Sequence, residues 1–169
     1  MALLAAVTLV NSAEEPDAMT TIDDLDAFYT EHEYTGRREG TRAELEAVRA
    51  VRADLRELLT AEKDDAVEVI NRFLAEAHAV PRLVRHGGYD WHIHATDPDA
   101  PLVTRMKVET AMAMIDLIRA DELSRLGICA DEDCTGVVLD LSRNRSKRFC
   151  STTCGNRNAV AAYRARQSG

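Results

Sequence analysis

The sequence predicts an α+β protein with a mainly helical N-terminal domain, a small β-hairpin within that domain, and a small C-terminal module built on four cysteines. Three observations predict this class: apolar residues recur at helical spacing through most of the chain, all four cysteines fall near its end, and basic residues follow them. The 169 residues, of which 46% are hydrophobic, suffice for one domain and a small module. We therefore divide the chain into residues 1–126 and 127–169.

The N-terminal run from Met1 to Val10 is apolar and resembles the core of a secretory signal, with Asn11-Ser-Ala13 placed like a cleavage site. However, no Lys or Arg precedes Arg37, so the positive segment of a signal peptide is missing. The run is also too short to span a bilayer. We therefore expect a cytoplasmic protein without a membrane partner.

Three amphipathic helices are expected after this run. The first is acidic and extends from Ile22 to Tyr34, with a threonine cap. The second covers residues 41–60, where five aliphatic side chains line one face. The third covers residues 64–79 and is stopped by Pro81.

A hairpin and a long helix complete the N-terminal domain. Residues 82–95 are predicted to form the hairpin, turning at Gly87-Gly88. A helix rich in Leu, Met, Ile and Ala is then expected from Asp97-Pro-Asp-Ala-Pro101 to about Leu126, with Gly127 ending it. Because almost no linker separates this helix from the first cysteine, we expect the C-terminal module to be fixed rigidly to it.

Two groups of residues in this domain have alternative interpretations. His92 and His94 alternate along a predicted strand and share one face, which suits either a second metal or ligand, or a plain polar strand surface. Met106, Met112 and Met114 suit either a pliable ligand pocket or core packing. No third metal ligand lies at a recognisable spacing, so the polar surface is favoured for the two histidines. Helical Met usually fills a core, so core packing is favoured for the three methionines.

The cysteines have the spacing of a metal site. Cys129, Cys134, Cys150 and Cys154 fall as C-x4-C-x15-C-x3-C, and two close pairs of this kind are typical of a four-thiolate zinc site. Zinc accepts tetrahedral thiolate sulfur and allows a segment with little apolar core to fold. The alternative, two disulfides, needs a secretory context that the N-terminus does not support. We predict a treble-clef-like zinc finger with Zn²⁺ as its cofactor.

Charge is distributed unevenly along the chain. The net charge is −8, to which residues 1–128 contribute −11, residues 129–140 contribute −4, and residues 141–169 contribute +7 with no Asp or Glu. Clustered cations favour nucleic-acid binding, because contact with phosphates releases condensed counterions. The alternative is a basic tail that docks on the acidic body of its own chain.

Within the module, a strand is expected over residues 137–141, a basic turn over 142–146 and a second strand over 147–149. A helix is expected from Cys154 to Gln167, and its apolar residues are expected to pack on this hairpin.

The candidate contacts to double-stranded DNA are the basic and amide side chains of the turn and the helix. They are Arg143, Arg145, Lys147, Arg148, Asn156, Arg157, Arg164 and Arg166. Asn156 also suits a helix cap.

The module resembles a known family. Cys150-Ser-Thr-Thr-Cys154-Gly-Asn-Arg157, preceded by Leu139-Asp-Leu-Ser-Arg-Asn-Arg-Ser-Lys-Arg-Phe149, resembles the CGNR zinc-finger family of bacterial proteins. Those proteins pair the finger with an N-terminal ABATE domain and are described as stress-induced transcription regulators. Residues 1–126 are similar to that domain in helix order and in Trp91-His-Ile-His94; Val10-Asn11 is similar to its Val-Asn-Thr stretch, although Ser12 replaces Thr. The resemblance implies zinc binding and DNA binding.

These observations predict a zinc-dependent DNA-binding protein, a bacterial transcription regulator whose N-terminal domain senses a signal or dimerises. Because one finger contacts few base pairs, a homodimer is favoured. The alternatives are a protein-interaction adaptor and a redox switch in which thiolate oxidation releases zinc. An enzyme is not expected: the sequence has no Gly-rich phosphate loop, no H-E-x-x-H and no nucleophile elbow, and four thiolates leave zinc no open position.

Overall fold

The computed structural model describes residues 2–85 and 90–167, which form six α-helices and two small antiparallel sheets. The helices are α1 (Ala2–Asn11), α2 (Ile22–Glu31), α3 (Arg42–Thr60), α4 (Lys63–Glu76), α5 (Leu102–Arg119) and α6 (Thr152–Gln167). The strands are β1 (Arg82–Val84), β2 (His92–His94), β3 (Leu126–Ile128) and β4 (Val137–Leu139), and a 3-10 turn covers Leu123–Arg125. The predicted α+β class, mainly helical in its N-terminal part, is confirmed.

Four helices, α1, α3, α4 and α5, pack against one another around the core. Leu9 and Val10 of α1 are buried there, and a helix that is apolar on nearly all sides is one that its neighbours enclose. The apolar run at the N-terminus is thus a core helix. Met106 and Met114 are fully buried in the same core, which confirms the packing interpretation for these two methionines, whereas Met112 is half-buried. Within the described residues, no helix is long and apolar enough to cross a membrane.

Helices α2 and α4 begin close to their predicted starts, and each ends three residues before its predicted end. Glu33, just after α2, adopts a left-handed backbone with φ of 54°, and His78, just after α4, does so with φ of 47°. A left-handed residue turns the chain out of the helical path, so neither helix continues.

The last helix of the domain is also shorter than predicted. α5 ends at Arg119 instead of about Leu126, because Asp121 adopts a left-handed φ of 54° and the 3-10 turn follows. Gly127 lies in strand β3 and does not end a helix. Strand β3 crosses the predicted boundary between residues 1–126 and 127–169, and that division stays a prediction.

The predicted hairpin over residues 82–95 is confirmed. Strands β1 and β2 are antiparallel, with Leu83 opposite Ile93 and Arg82 opposite His94. Its turn, predicted at Gly87-Gly88, lies outside the described residues.

The second hairpin differs from the prediction. Strand β4 pairs with β3, which precedes it, and Val138 lies opposite Gly127. Residues 147–149 form no strand, so the predicted return strand is wrong. The hairpin therefore encloses the first cysteine pair, and the basic turn over 142–146 lies outside it.

Strand β4 is buried on both of its faces. Val137 and Leu139 belong to the helical core, whereas Val138 packs against Cys129 and Cys154. Because side chains alternate along a strand, this short strand contributes to the helical core on one face and to the cysteine cluster on the other. The cysteine module is therefore built onto the helical core.

Candidate metal centre

The structure brings the four predicted cysteines together. Cys129 follows β3, Cys134 precedes β4, Cys150 precedes α6, and Cys154 lies in the first turn of α6. The four Sγ atoms all lie within 4.8 Å of one another. Within the described part of the chain, this is the one group of three or more cysteine, histidine or acidic residues arranged to hold a metal ion.

The dimensions of the cluster fit a tetrahedral ion. Metal–sulfur bonds of about 2.3 Å, as in zinc sites, place tetrahedral sulfur ligands about 3.8 Å apart. The Sγ atoms of Cys134 and Cys150 are 3.5 Å apart, and those of Cys150 and Cys154 are 3.8 Å apart. All four thiols are free of disulfides. Four sulfur ligands would fill the coordination sphere, so the site suits structural binding and not metal catalysis.

Nitrogen donors surround the sulfur atoms. The backbone N–H of Gly136 donates to Sγ of Cys134 and that of Cys150 donates to Sγ of Cys129, each at 3.4 Å. Such donors stabilise negative charge on sulfur and orient the ligands. The surroundings of the cluster are therefore arranged for thiolates.

The pKa values of the thiols show why this cluster favours a cation. Burial raises the pKa of Cys150 and of Cys134, and the neighbouring sulfur atoms raise that of Cys150 further. Burial acts in the same direction on Cys129, but hydrogen bonds from the backbone of Cys150 and Asp131 outweigh it and lower the Cys129 pKa. Four thiolates at these distances repel one another, so ionising all of them requires a bound cation.

Gly136 is required by close packing beside the cluster. A Cβ atom at this position would lie 2.9 Å from Sγ of Cys150 and 3.3 Å from Sγ of Cys134. Both distances are shorter than ordinary van der Waals contacts, so any side chain would push the sulfur atoms apart.

Arg157 lies against the cluster. Its Nε donates to Oδ2 of Asp131 at 2.7 Å, and its Nη2 donates to Sγ of Cys154 at 3.7 Å. Asp131 is almost fully buried; burial alone would raise the pKa of its carboxyl, but the hydrogen bonds from Arg157 and from the backbone of Asp133 hold the pKa below its ordinary value. Arg157, predicted to contact DNA, thus has two partners inside the metal centre, while 48% of its side chain stays exposed.

Asp140 orders the basic loop that follows β4. Its carboxylate accepts hydrogen bonds from the backbone N–H groups of Ser142 and Lys147, both at 2.8 Å. Hydrogen bonds from Ser142 and then Lys147 keep the pKa of Asp140 below its ordinary value. Arg145 reaches back to the end of the helical domain, donating to Glu122 at 2.7 Å. The loop over residues 141–147 is therefore a fixed turn.

The other predicted cations of the loop face outward. Arg143, Lys147 and Arg148 are exposed, and the Arg148 guanidinium lies 5.9 Å from the centroid of the Phe149 ring. No carboxylate of residues 2–85 or 90–167 forms an ion pair with Arg143 or Lys147.

Helix α6 projects from the cluster. Beyond Cys154 its residues are exposed or half-buried, and Asn156, Arg164 and Arg166 are exposed. Val160 and Tyr163 are 48% and 57% exposed, so the prediction that the apolar residues of this helix pack on the hairpin is wrong. The hairpin instead directs its inner side chains to the cysteines and the helical core.

Several contacts between the helical domain and the first cysteine pair are not readable from the sequence. The hydroxyl of Thr135, next to Cys134, donates to Glu14 at 2.8 Å, and its carbonyl accepts from Arg56 at 2.5 Å. The side chain of Asn11 bonds the backbone of Val137. These residues lie far apart in the chain and have no motif in common, so no spacing pattern signals them.

His92 and His94 lie in contact on strand β2. Their Nε2 atoms are 3.1 Å apart, and Nδ1 of His92 lies 2.7 Å from the carbonyl oxygen of Asp90. Because the carbonyl can only accept, Nδ1 of His92 carries a proton; in the neutral ring its Nε2 accepts from His94. No third metal ligand joins the pair within the described residues, and the choice between a polar strand surface and a ligand site stays a prediction.

Comparison with known families gives two matches. Residues 4–121 match the family ABATE, described as "Putative stress-induced transcription regulator", and residues 125–167 match the CGNR zinc finger. The two matched segments correspond to the helical domain and the cysteine module, and the predicted resemblance is confirmed. No curated protein matches the chain.

Proposed function

The chain belongs to the ABATE family, and from that premise we propose that it is a zinc-dependent, DNA-binding transcription regulator. One observation carries the proposal: a closed four-thiolate cluster supports an outward-facing basic surface on an otherwise acidic protein. We call this surface the basic face. It consists of Arg143, Lys147, Arg148, Arg164 and Arg166.

Zn²⁺ is the ion that the cluster suits best. The sulfur distances, the four thiolate ligands and the closed coordination are those of structural zinc sites. When bound, the ion would supply the cation that four neighbouring thiolates need and would hold the start of α6 against β3 and β4.

The charge distribution supports DNA as the partner. Residues 141–169 carry +7, and the residues before them carry −11 and −4. Contact of the basic face with phosphates would release counterions, whereas the acidic helical domain would be repelled by a duplex. The exposed amide of Asn156, close to the start of α6, is available to a base edge or a phosphate.

In this proposal Arg157 and Arg145 act chiefly inside the protein. Arg157 bonds Asp131 and a cysteine ligand, and Arg145 bonds Glu122. They would set the position of the basic face, and the outward-facing side chains of that face would contact DNA.

A second candidate function, a protein-interaction adaptor, is favoured by one observation. Val160 and Tyr163 are exposed on α6, and exposed aromatic and aliphatic side chains on a projecting helix are typical of a docking surface. A DNA regulator with this helix would use the same two residues at a dimer contact.

Salt dependence of DNA binding tests the proposal. Binding of the metal-loaded protein to a mixed-sequence duplex is measured by fluorescence anisotropy over a range of salt concentrations. Lys147→Gln with Arg166→Gln should reduce the slope of log affinity against log salt by about two, close to 0.9 for each lost phosphate contact. Arg72→Gln, on α4 of the helical domain, is the control that removes charge elsewhere. An unchanged slope in the double variant would reject the basic face as the DNA contact.

A further inference from the structure

A cavity of about 300 Å³ lies between the β1–β2 hairpin and helix α5. The hairpin contributes Arg82, Val84 and His94 to its wall, and α5 contributes Arg105 and Glu109. Cavities of this size hold small metabolites. The cavity is separate from the cysteine cluster, and nothing in the proposed DNA contact uses it.

The floor of the cavity is rigid. Arg105 is 2% exposed, and its guanidinium donates to the backbone carbonyls of Ala100, Thr35 and Arg37. Gly36, with φ of 89°, leaves room for both neighbours, since a Cβ there would lie 2.5 Å from the carbonyl oxygen of Pro98 and 3.2 Å from Nη1 of Arg105. The guanidinium therefore serves the fold and is held in one position.

Glu109 adds a carboxylate to the floor, one helical turn after Arg105. It is half-buried and makes no hydrogen bond or ion pair within the described residues. Burial raises the pKa of this carboxyl, although the charge of Arg105 acts in the opposite direction. A carboxylate placed in this way has unused acceptor capacity directed at whatever fills the cavity.

The mouth of the cavity carries a cation, Arg82, in place of a carboxylate. Arg82 is exposed and lies opposite His94 in the hairpin register, and no carboxylate of the described residues pairs with Arg82. Its planar guanidinium is well suited to bidentate binding of a carboxylate. Between mouth and floor, Val84 and Pro98 provide apolar wall.

We propose that this cavity binds a small aminocarboxylate, with its carboxylate on Arg82 at the mouth, its ammonium group on Glu109 at the floor, and its methylene chain against Val84 and Pro98. The order of charges follows from the hydrogen-bonding capacity that each group has left. Arg82 is exposed at the mouth, whereas Arg105 is already bonded to three backbone carbonyls, so Glu109 is the floor group with unused acceptors. A ligand with a single charge would satisfy one end and leave the other unpaired.

This site goes beyond DNA binding and does not depend on it. If the chain is a regulator, the cavity is where the helical domain would receive a signal, because α5 forms its floor and leads through one 3-10 turn to β3 of the cysteine module. The ligand test uses no DNA, so its failure would leave the proposed function untouched, and failure of DNA binding would leave this site untouched.

Three matched probes test the proposal on the metal-loaded protein: 5-aminopentanoate, which carries both charges, pentanoate, which lacks the ammonium, and pentylamine, which lacks the carboxylate. Affinities are measured by isothermal titration calorimetry. We expect 5-aminopentanoate to bind about tenfold more tightly than either singly charged probe, since each end makes a charge-assisted hydrogen bond.

Two variants assign the ends. Glu109→Gln should lower the affinity for 5-aminopentanoate to about that for pentanoate, without weakening the binding of pentanoate. Arg82→Gln should lower the affinity for 5-aminopentanoate to about that for pentylamine, without weakening the binding of pentylamine. Thermal melts confirm that each variant is folded. Three probes of equal affinity in the unmodified protein, or none that saturates at millimolar concentration, would overturn the proposal, and neither result depends on the variants.

Discussion

The side-chain amide of Asn11 bonds both backbone groups of Val137, a residue 126 positions later in the chain. Nδ2 donates to the Val137 carbonyl at 2.8 Å, and Oδ1 accepts from the Val137 N–H at 2.7 Å. The amide thus takes the place of a neighbouring strand beside β4. It joins the end of α1 to β4, the strand whose Val138 packs against the cysteines of the metal centre.

Replacing Asn11 with Ala should destabilise the protein by about 1–3 kcal/mol, because two backbone groups of a buried strand lose their partner. The measurement is chemical denaturation of the metal-loaded protein. Asn156→Ala, at an exposed position on α6, is the matched control and should change stability little. Equal effects of the two substitutions would argue against a role for the Asn11 amide in holding β4.

Gly136→Ala should weaken metal binding about tenfold or more, as changes next to metal ligands often do. The added methyl group would lie 2.9 Å from Sγ of Cys150 and would force the ligands apart. Competition with a chromogenic chelator measures the affinity. Gly127→Ala, in the paired strand, is the control because a Cβ there meets no atom within 4 Å. Equal metal affinities in the two variants would contradict this picture of the cluster.

Arg157→Gln should speed loss of metal to a chelator, whereas Lys147→Gln should not. Arg157 neutralises buried Asp131 and donates to the Cys154 sulfur, and glutamine can neither carry that charge nor reproduce the fork of donors. Lys147 makes its bond to Asp140 through its backbone, which the substitution keeps. If Arg157→Gln retained metal normally and weakened only DNA binding, Arg157 would be a direct DNA contact, as its sequence position alone suggests.

The stability that Asp17 provides should disappear in acid. Asp17 accepts two hydrogen bonds from Arg52, one from the backbone of Met19 and one from Arg49, and hydrogen bonding by Arg52 is the main reason that its pKa lies well below the ordinary value. A carboxyl with a lowered folded-state pKa stabilises the fold fully above the unfolded-state pKa, about 3.9, and loses that contribution as pH falls toward the folded-state value.

The test compares unfolding free energies of the protein and of Asp17→Asn at pH 7 and near pH 3. We expect Asp17→Asn to be less stable by about 1 kcal/mol at pH 7, with a smaller difference near pH 3. A difference for Asp17→Asn that does not shrink in acid would remove the charge-based explanation.

The sequence predicts those parts of the protein that depend on local patterns. Helices α3 and α4 follow from apolar spacing and threonine or proline signals, and the cysteine cluster follows from a spacing that is typical of a metal site. The hairpin over residues 82–95 follows from alternation on either side of two glycines.

The unpredicted parts depend on partners distant in sequence. An apolar run such as α1 looks the same whether it is buried by other helices or recognised as a signal, so its place in the core is not readable from composition. Leu126–Ile128 continues an apolar pattern, and only its pairing with β4 makes it a strand. Arg157 and Arg145 look like free cations until Asp131 and Glu122 are placed beside them.

The measurement that tests zinc-dependent DNA recognition most directly is selection from a randomised duplex library by the zinc-loaded protein at physiological salt, with Cys150→Ser carried in parallel. Loss of one ligand should open the cluster and release the start of α6 from β3 and β4. We expect an enriched sequence motif with the unmodified protein and none with Cys150→Ser. No enrichment over Cys150→Ser would contradict the account and would favour the adaptor function of α6.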